Sequence, residues 1–134
     1  MSVRVYVPVS EDDLAALVTD GRLPGPRCAH AVTEELRASW PEAGDDSWEY
    51  AALMAAAIAS RVPGTGRRRV VAADVSRTDA TTGPDDDPTR VDVPGDVVWK
   101  GVAAAHVDPA DGAADDDDLA WFATQEIVQL LTPG

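Results

Sequence analysis

Val70-Val71-Ala72-Ala73-Asp74-Val75 is the stretch that decides the fold, because every position in it except Asp74 is apolar. Successive side chains of a strand point to opposite faces of a sheet, so an almost unbroken apolar run indicates a strand covered on both faces. Val102-Ala103-Ala104-Ala105-His106-Val107 has the same character, although its alanines also suit a helix. Both stretches are predicted to be central strands of one sheet.

The N-terminal residues Val3-Arg4-Val5-Tyr6-Val7 place valines at every second position. This period of two predicts a strand with one buried face, lying beside one of the central strands. Ser10 and Asp13 form a capping-box pattern, so a helix is predicted to follow, and Gly21 is predicted to end it.

Three further helices are predicted downstream. Thr33-Glu34-Glu35 indicates the start of a short second helix, with acids at its positive end. Asp46, with Glu49 three residues later, is predicted to cap a third helix that runs to about Arg61. The apolar residues between 119 and 131 recur at helical spacing and predict a last helix.

These elements follow one another in the order β-α-α-α-β-β-β-α, which excludes regular βαβ winding. We therefore predict a single α+β domain over residues 1–134, with a small mixed β-sheet packed by three or four helices. The third helix has no charged residue between Glu49 and Arg61. Such a helix is either enclosed by other elements or covered by a partner, and enclosure is the prediction.

Several segments carry a resemblance to a known family. They are Val70-Val71-Ala72-Ala73-Asp74-Val75, Ala105-His106-Val107-Asp108, Asp117-Asp118-Leu119-Ala120-Trp121-Phe122-Ala123-Thr124-Gln125-Glu126-Ile127, Val3-Arg4-Val5-Tyr6-Val7-Pro8 and Glu49-Tyr50-Ala51-Ala52. In these segments the chain resembles a family of small proteins of unknown function from high-GC actinobacteria, over nearly its whole length and in the same order. The resemblance implies a cytoplasmic bacterial protein and supplies no functional residues.

The charge balance restricts the partners. The chain has 24 acidic residues against 11 Lys and Arg, a net charge of −13. Such a surface repels phosphate backbones and anionic lipids, so neither direct nucleic-acid binding nor membrane binding is expected. The negative charge favours solubility or a cationic protein partner. Cys28 has no second cysteine to pair with, which suits a reducing cytoplasm.

Two groups of residues resemble reactive sites, but each lacks a feature that the chemistry requires. Cys28 and His30 share a face of an extended segment, but a thiol nucleophile also needs a third, orienting group. His30, His106 and Asp108 could ligate zinc or iron if the fold brought them together, yet their spacing matches no short metal motif. We predict no catalytic residue, no metal site and no cofactor.

A polar site remains possible around Asp74, His106 and Glu126. Asp74 lies within an apolar strand and Glu126 lies beside Ile127, near the apolar side of the last helix. Carboxylates in such positions need partners, or their pKa rises. Structural ion pairing is the predicted role, and a polar pocket is the alternative.

The tryptophans are candidates for an interaction surface. The chain has four, against one Phe and two Tyr. Tryptophan is rarely buried completely and is enriched at binding hot spots. Packing at the edge of the core is the predicted role of each tryptophan, and an exposed interaction patch is the alternative. Trp40 and Trp48 flank an acidic turn and Trp121 lies off the main apolar side of its helix, so these three are the interaction candidates.

Without a reactive constellation, we expect a non-enzymatic protein-interaction or regulatory module that binds another protein in the cytoplasm. One alternative is a small enzyme or ligand-binding protein that uses Asp74, His106 and Glu126. The other is an acidic nucleic-acid mimic that occupies the groove of a basic protein.

Overall fold

Antiparallel strands dominate the computed structural model, which describes residues 2–61, 66–80, 87–110 and 112–131. The strands are β1 (Val3–Pro8), β2 (Arg22–Leu23), β3 (Arg27–His30), β4 (Arg69–Val75), β5 (Asp79–Ala80), β6 (Arg90–Val93), β7 (Val97–Val98), β8 (Val102–Val107) and β9 (Ala120–Ala123). Within the described residues, seven of them form one sheet in the order β5-β6-β3-β1-β4-β8-β9, and β2 pairs with β7.

The helices lie between these strands and after them. They are α1 (Glu11–Asp20), α2 (Glu34–Ser39) and α3 (Asp45–Ser60), with 3-10 helices at Trp99–Gly101 and Thr124–Leu131. None of the described helices is long and apolar enough to cross a bilayer.

The predicted central strands are confirmed. β4 lies between β1 and β8, and β8 lies between β4 and β9. The N-terminal strand β1 pairs with β4 over its whole length, from Val3 opposite Val75 to Pro8 opposite Val70. An apolar run buried on both faces therefore does mark an interior strand of this sheet. The single buried face predicted for β1 is wrong, because β1 is the middle strand of the seven and its successive residues Val5, Tyr6 and Val7 are all buried.

Each face of the sheet packs against a different set of helices. On one face, buried valines and alanines of the central strands contact α1 and the C-terminal 3-10 helix, in a core that includes Val5, Val7, Val71, Ala73, Ala105, Leu14, Leu17 and Ile127. On the other face, Tyr6, Val70 and Ala72 contact α3 through Ala52, Ala56 and Ala57. The alternation of side chains along β1 and β4 produces this division.

The start and end of α1 are as predicted. The backbone N–H of Asp13 donates to Ser10 Oγ and that of Ser10 donates to Asp13 Oδ2, both at 3.0 Å. Gly21 adopts the left-handed conformation at φ 76°, and its N–H donates to the Leu17 carbonyl. Glycine suits this position because a Cβ disfavours positive φ.

The α+β class is confirmed, but two details of the prediction are wrong. The sheet is antiparallel at every described pairing rather than mixed, because each excursion between neighbouring strands re-enters the sheet at the end where it left. The residue that precedes α3 is Gly44, which makes no side-chain cap. Asp46 lies inside the first turn, where the helix dipole favours a negative charge.

The predicted last helix is also wrong in its first half. Residues 120–123 form β9, which pairs with β8 from Ala104 opposite Ala123 to Val107 opposite Ala120. The helix that follows, Thr124–Leu131, is a 3-10 helix. Ladder hydrogen bonds to β8 satisfy the backbone of this segment, so tertiary pairing outweighs the helical spacing of its apolar residues.

Candidate functional site

The sheet covers α3 on one side only. Ala52, Ala56 and Ala57 are fully buried against it, whereas Tyr50 and Ile58 are 47% and 51% exposed. The enclosure predicted from the uncharged run is therefore wrong within the described residues. The physical reason is that α1 packs on the opposite face of the sheet, so it adds no second layer over α3.

The uncovered side of α3 carries Ser47, Ala51, Met54 and Ile58, which we call the uncharged stripe. Steps of four, three and four residues place these side chains on one side of a helix, facing away from Ala52. Ile58 is exposed and the other three are half-buried. The stripe is thus an uncharged helix face that is exposed at Ile58 and partly accessible at its other three positions.

An acidic segment, residues 113–118, runs along one flank of the stripe, and we call it the acidic loop. At one end Tyr50 Oη donates to Asp118 Oδ1 at 2.8 Å. At the other end Arg61 donates to the first carbonyl of the loop at 2.7 Å and lies 3.6 Å from Asp115 Oδ1. Tyr50 lies in α3 and Arg61 is the C-cap residue of that helix, eleven residues later, so the two contacts of the loop are about three turns apart.

Arg68 holds the acidic loop in position through contacts on the buried side of the loop. Its guanidinium donates to both carboxylate oxygens of Asp108, at 2.8 and 2.9 Å, and both side chains are completely buried. The same guanidinium donates to the carbonyls of Asp115 and Asp117, at 2.9 and 2.7 Å. Burial alone would raise the pKa of Asp108, but the hydrogen bonds from Arg68 outweigh it and hold that pKa below its ordinary value.

Sequence reasoning missed this buried pair, although a signal was present. Arg68 directly precedes β4 and Asp108 directly follows β8. In an antiparallel pair these two positions lie at the same end of the sheet, and the N–H of Asp108 does donate to the Arg68 carbonyl at 3.0 Å. Arg68 is the middle member of the triplet Arg67-Arg68-Arg69, and it is the ion-pair partner of Asp108.

Glu49 is directed inward, so it leaves the stripe uncharged. Tyr6 Oη, on the sheet, donates a short hydrogen bond to the Glu49 carboxylate. Burial raises the pKa of Tyr6, and the hydrogen bond to Glu49 raises it further. The last acid before the uncharged run thus contributes to the contact between α3 and the sheet.

A comparison with protein families matches one family to residues 3–131 of the chain. The chain belongs to DUF6912, a family of unknown function. Comparisons with curated proteins and with solved structures found no match. The predicted resemblance to a family of unknown function is confirmed, and the actinobacterial origin stays a prediction.

The polar-site residues predicted for this DUF6912 member lie on three elements. Asp74 on β4 accepts from Arg4 Nε at 2.8 Å and from its Nη2 at 3.3 Å. His106 on β8 is opposite Val70, so it shares a face with Asp74, roughly 13 Å away along the strands. Burial lowers the pKa of His106, and the charge of Arg4 lowers it further.

Glu126 lies apart from that face, in the first turn of the C-terminal 3-10 helix. Its Oε1 accepts from the N–H of Ala123 at 3.0 Å, a local capping contact. Asp74 lines a cleft of about 600 Å³ that neither His106 nor Glu126 borders. The convergence of these three residues on one pocket stays a prediction.

The tryptophan candidates of this DUF6912 member occupy two places. Trp40 is 41% exposed, and its carbonyl accepts from Trp48 Nε1 at 3.2 Å. The Arg37 guanidinium lies over the Trp48 ring, 5.5 Å from its centre. Trp121 is 61% exposed and pairs across the strands with His106. Trp40 and Trp48 thus lie around the start of α3, and Trp121 lies on β9.

The side chains of Cys28 and His30 on β3 each contact a residue at or just before the start of the neighbouring strand β6. Arg90 Nε donates to Cys28 Sγ at 3.0 Å, and His30 Nδ1 lies 2.8 Å from Thr89 Oγ1. Burial lowers the pKa of His30, while the charge of Asp87 opposes that shift. Among the described residues, no group of three or more His, Cys, Asp or Glu side chains could hold a metal ion.

Proposed function

We propose that this DUF6912 member is a non-enzymatic interaction module that binds another protein through the uncharged stripe. The supporting observation is the 16-residue helix α3, which has no charged residue between Glu49 and Arg61 and which, among the residues that the structure describes, packs against the sheet on one side only. A protein with a net charge of −13 has many acids to place on a solvent-facing helix. An exposed helix face without any is typical of a binding surface.

Burial of the stripe supplies a moderate driving force. Full burial of a Met or Ile side chain stabilises a complex by about 1.5–3 kcal/mol. Ile58 is about half exposed and Met54 is half-buried, so covering them both contributes roughly 2 kcal/mol. Trp40 and Trp48, near the start of α3, add aromatic area of the kind that anchors interfaces.

Site-specific photo-crosslinking in cells of the native host tests the proposal. A benzophenone amino acid is placed at Ala51 or Ile58 on α3, and at Thr19 on α1 as the control. Thr19 is exposed and lies on the helix that packs against the opposite face of the sheet. The proposal expects one discrete adduct with the same protein from both α3 positions and not from Thr19. Adducts of equal yield and identity from all three positions would refute it.

A second candidate function is ligand binding around Asp74 and His106. Arg4 favours it, because this side chain pairs with Asp74 and its charge also lowers the pKa of His106. Three polar groups of one sheet face are therefore electrostatically linked. The test is an NMR screen of small anions and cations, in which resonances of Arg4, Asp74 and His106 should shift together. An unchanged spectrum would remove this candidate.

A further inference from the structure

We propose that the occupant of the uncharged stripe is a basic amphipathic helix of the partner protein, whose Lys and Arg side chains face the acidic loop. This inference rests on the proposed function and names the chemical class of its partner. The uncharged stripe is the observation on which the inference depends, and the neighbouring carboxylates determine which charge the occupant should have.

The spacing of the stripe favours a helix as the occupant. Ser47, Ala51, Met54 and Ile58 follow the steps of four and three residues along which two helices pack. The stripe spans twelve residues, a rise of about 16 Å, which matches three turns of a facing helix. Small side chains at 47 and 51 allow close approach at one end, while Met54 and Ile58 provide apolar area at the other.

The charges around the stripe favour a cationic occupant. The Asp115 side chain is 67% exposed, and Asp116 and Asp118 follow it along the same flank. Asp45 and Asp46 lie at the start of α3. A second copy of the chain would bring two such acidic surfaces together, each on a molecule of charge −13. An anionic membrane would be repelled in the same way, so a basic protein helix is the complementary partner.

The acidic loop is held in position before any partner arrives. Arg68 binds the carbonyls of Asp115 and Asp117 from the buried side, which leaves the carboxylates of Asp115 and Asp116 exposed. A loop that is already ordered loses less conformational entropy on binding. The contact of Asp115 with Arg61 and that of Asp118 with Tyr50 hold two carboxylates of the loop beside α3.

A synthetic peptide provides the probe. It is an 18-residue peptide of leucine, lysine and alanine whose leucines follow the four-and-three repeat, and its control has the same composition in an order without an apolar side. Binding to the full chain is measured by fluorescence anisotropy. The ordered peptide should bind about tenfold more tightly than the control, because only it buries apolar area. Equal affinities would overturn the inference.

Two double variants separate apolar from charged contributions. Met54→Ser with Ile58→Ser should weaken binding of the ordered peptide about tenfold. Asp115→Asn with Asp116→Asn should weaken it about fivefold. Asp12→Asn with Asp20→Asn changes the net charge equally on exposed positions of α1 and should change affinity less than about twofold. Equal losses in the two Asp variants would indicate nonspecific charge attraction and overturn the inference.

The results also distinguish this inference from the proposed function. Circular dichroism confirms that each variant is folded before affinity is measured. A crosslinked partner that contacts α3 through a strand or an acidic surface would contradict the inference that the occupant is a basic helix. The same result would still support the proposed function as an interaction module. Sedimentation that shows a dimer, made monomeric by Met54→Ser with Ile58→Ser, would replace the basic helix with a second copy. Loss of the position-specific adducts would refute the proposed function itself.

Discussion

Arg68 and Asp108 are the residues whose contact matters most for the shape of the candidate surface. Both side chains are fully buried and joined by two hydrogen bonds. Asp108→Asn removes the negative partner of a buried guanidinium, so the free energy of unfolding should fall by about 3–5 kcal/mol. Chemical denaturation measures this loss. Asp74→Asn is the control, since its exposed pair with Arg4 contributes less than about 1 kcal/mol. Equal losses in the two variants would contradict the assignment.

Acid should remove the same contribution from the native protein. The pKa of folded Asp108 lies below its ordinary value of 3.8, so the unfolded chain takes up the proton first as the pH falls. The pair therefore stabilises the fold fully above that ordinary value, and its contribution disappears as the pH drops through the lower folded pKa. Denaturation between about pH 5 and pH 2 should show a shallower pH dependence for Asp108→Asn than for the native chain. Identical slopes would exclude Asp108 as a source of acid sensitivity.

At the scale of the element, α3 should tolerate larger side chains on one side and not on the other. Ala56→Leu introduces extra volume against the sheet, where Ala56 is fully buried, and should cost about 1–3 kcal/mol of stability. Ala51→Leu on the uncharged stripe should change stability by less than about 0.5 kcal/mol, because its side chain faces away from the sheet. Thermal and urea unfolding of both variants check this. Similar losses would mean that the stripe is covered.

Strands β1 and β4 and helix α1 could be predicted because their signals are local. The apolar run of β4, the period of two in β1 and the capping box at Ser10 each lie within a few residues. β9 could not be predicted, since its strand form depends on pairing with β8. The last predicted helix failed for this reason, because helical spacing of apolar residues describes a segment in isolation.

The candidate site was less predictable than the fold because its geometry depends on distant contacts. Arg68 and Asp108 are 40 residues apart, and Tyr50 and Asp118 are 68 apart. The sequence does reveal the uncharged run in α3. Whether other elements cover one side of α3 or both sides, however, depends on which face of the sheet α1 packs against. The Trp candidates rest on residue type alone, and their exposed fractions, 61% for Trp121 and 41% for Trp40, follow from where β9 and the end of α2 lie in the fold.

For the whole molecule, the net charge of −13 should give folding and partner binding opposite responses to salt. Carboxylates repel one another in the compact chain, so sodium chloride between about 0.01 and 0.5 M should raise the free energy of unfolding as the Debye length shortens. The same screening weakens attraction between the acidic loop and a basic helix, so affinity for the ordered peptide should fall. Urea unfolding and anisotropy at matched salt concentrations measure the two responses.

The variant Asp12→Asn with Asp20→Asn makes this contrast specific. This variant and Asp115→Asn with Asp116→Asn change the net charge by the same amount. Both therefore reduce repulsion within the folded chain, and both should show a smaller stabilisation by salt. The salt dependence of peptide binding, however, should decrease only in the variant that removes the acids at 115 and 116, because the acids at 12 and 20 lie on α1, away from the occupant. If both variants lowered it equally, the attraction would belong to the overall charge, and the acidic loop would have no particular part in recognition.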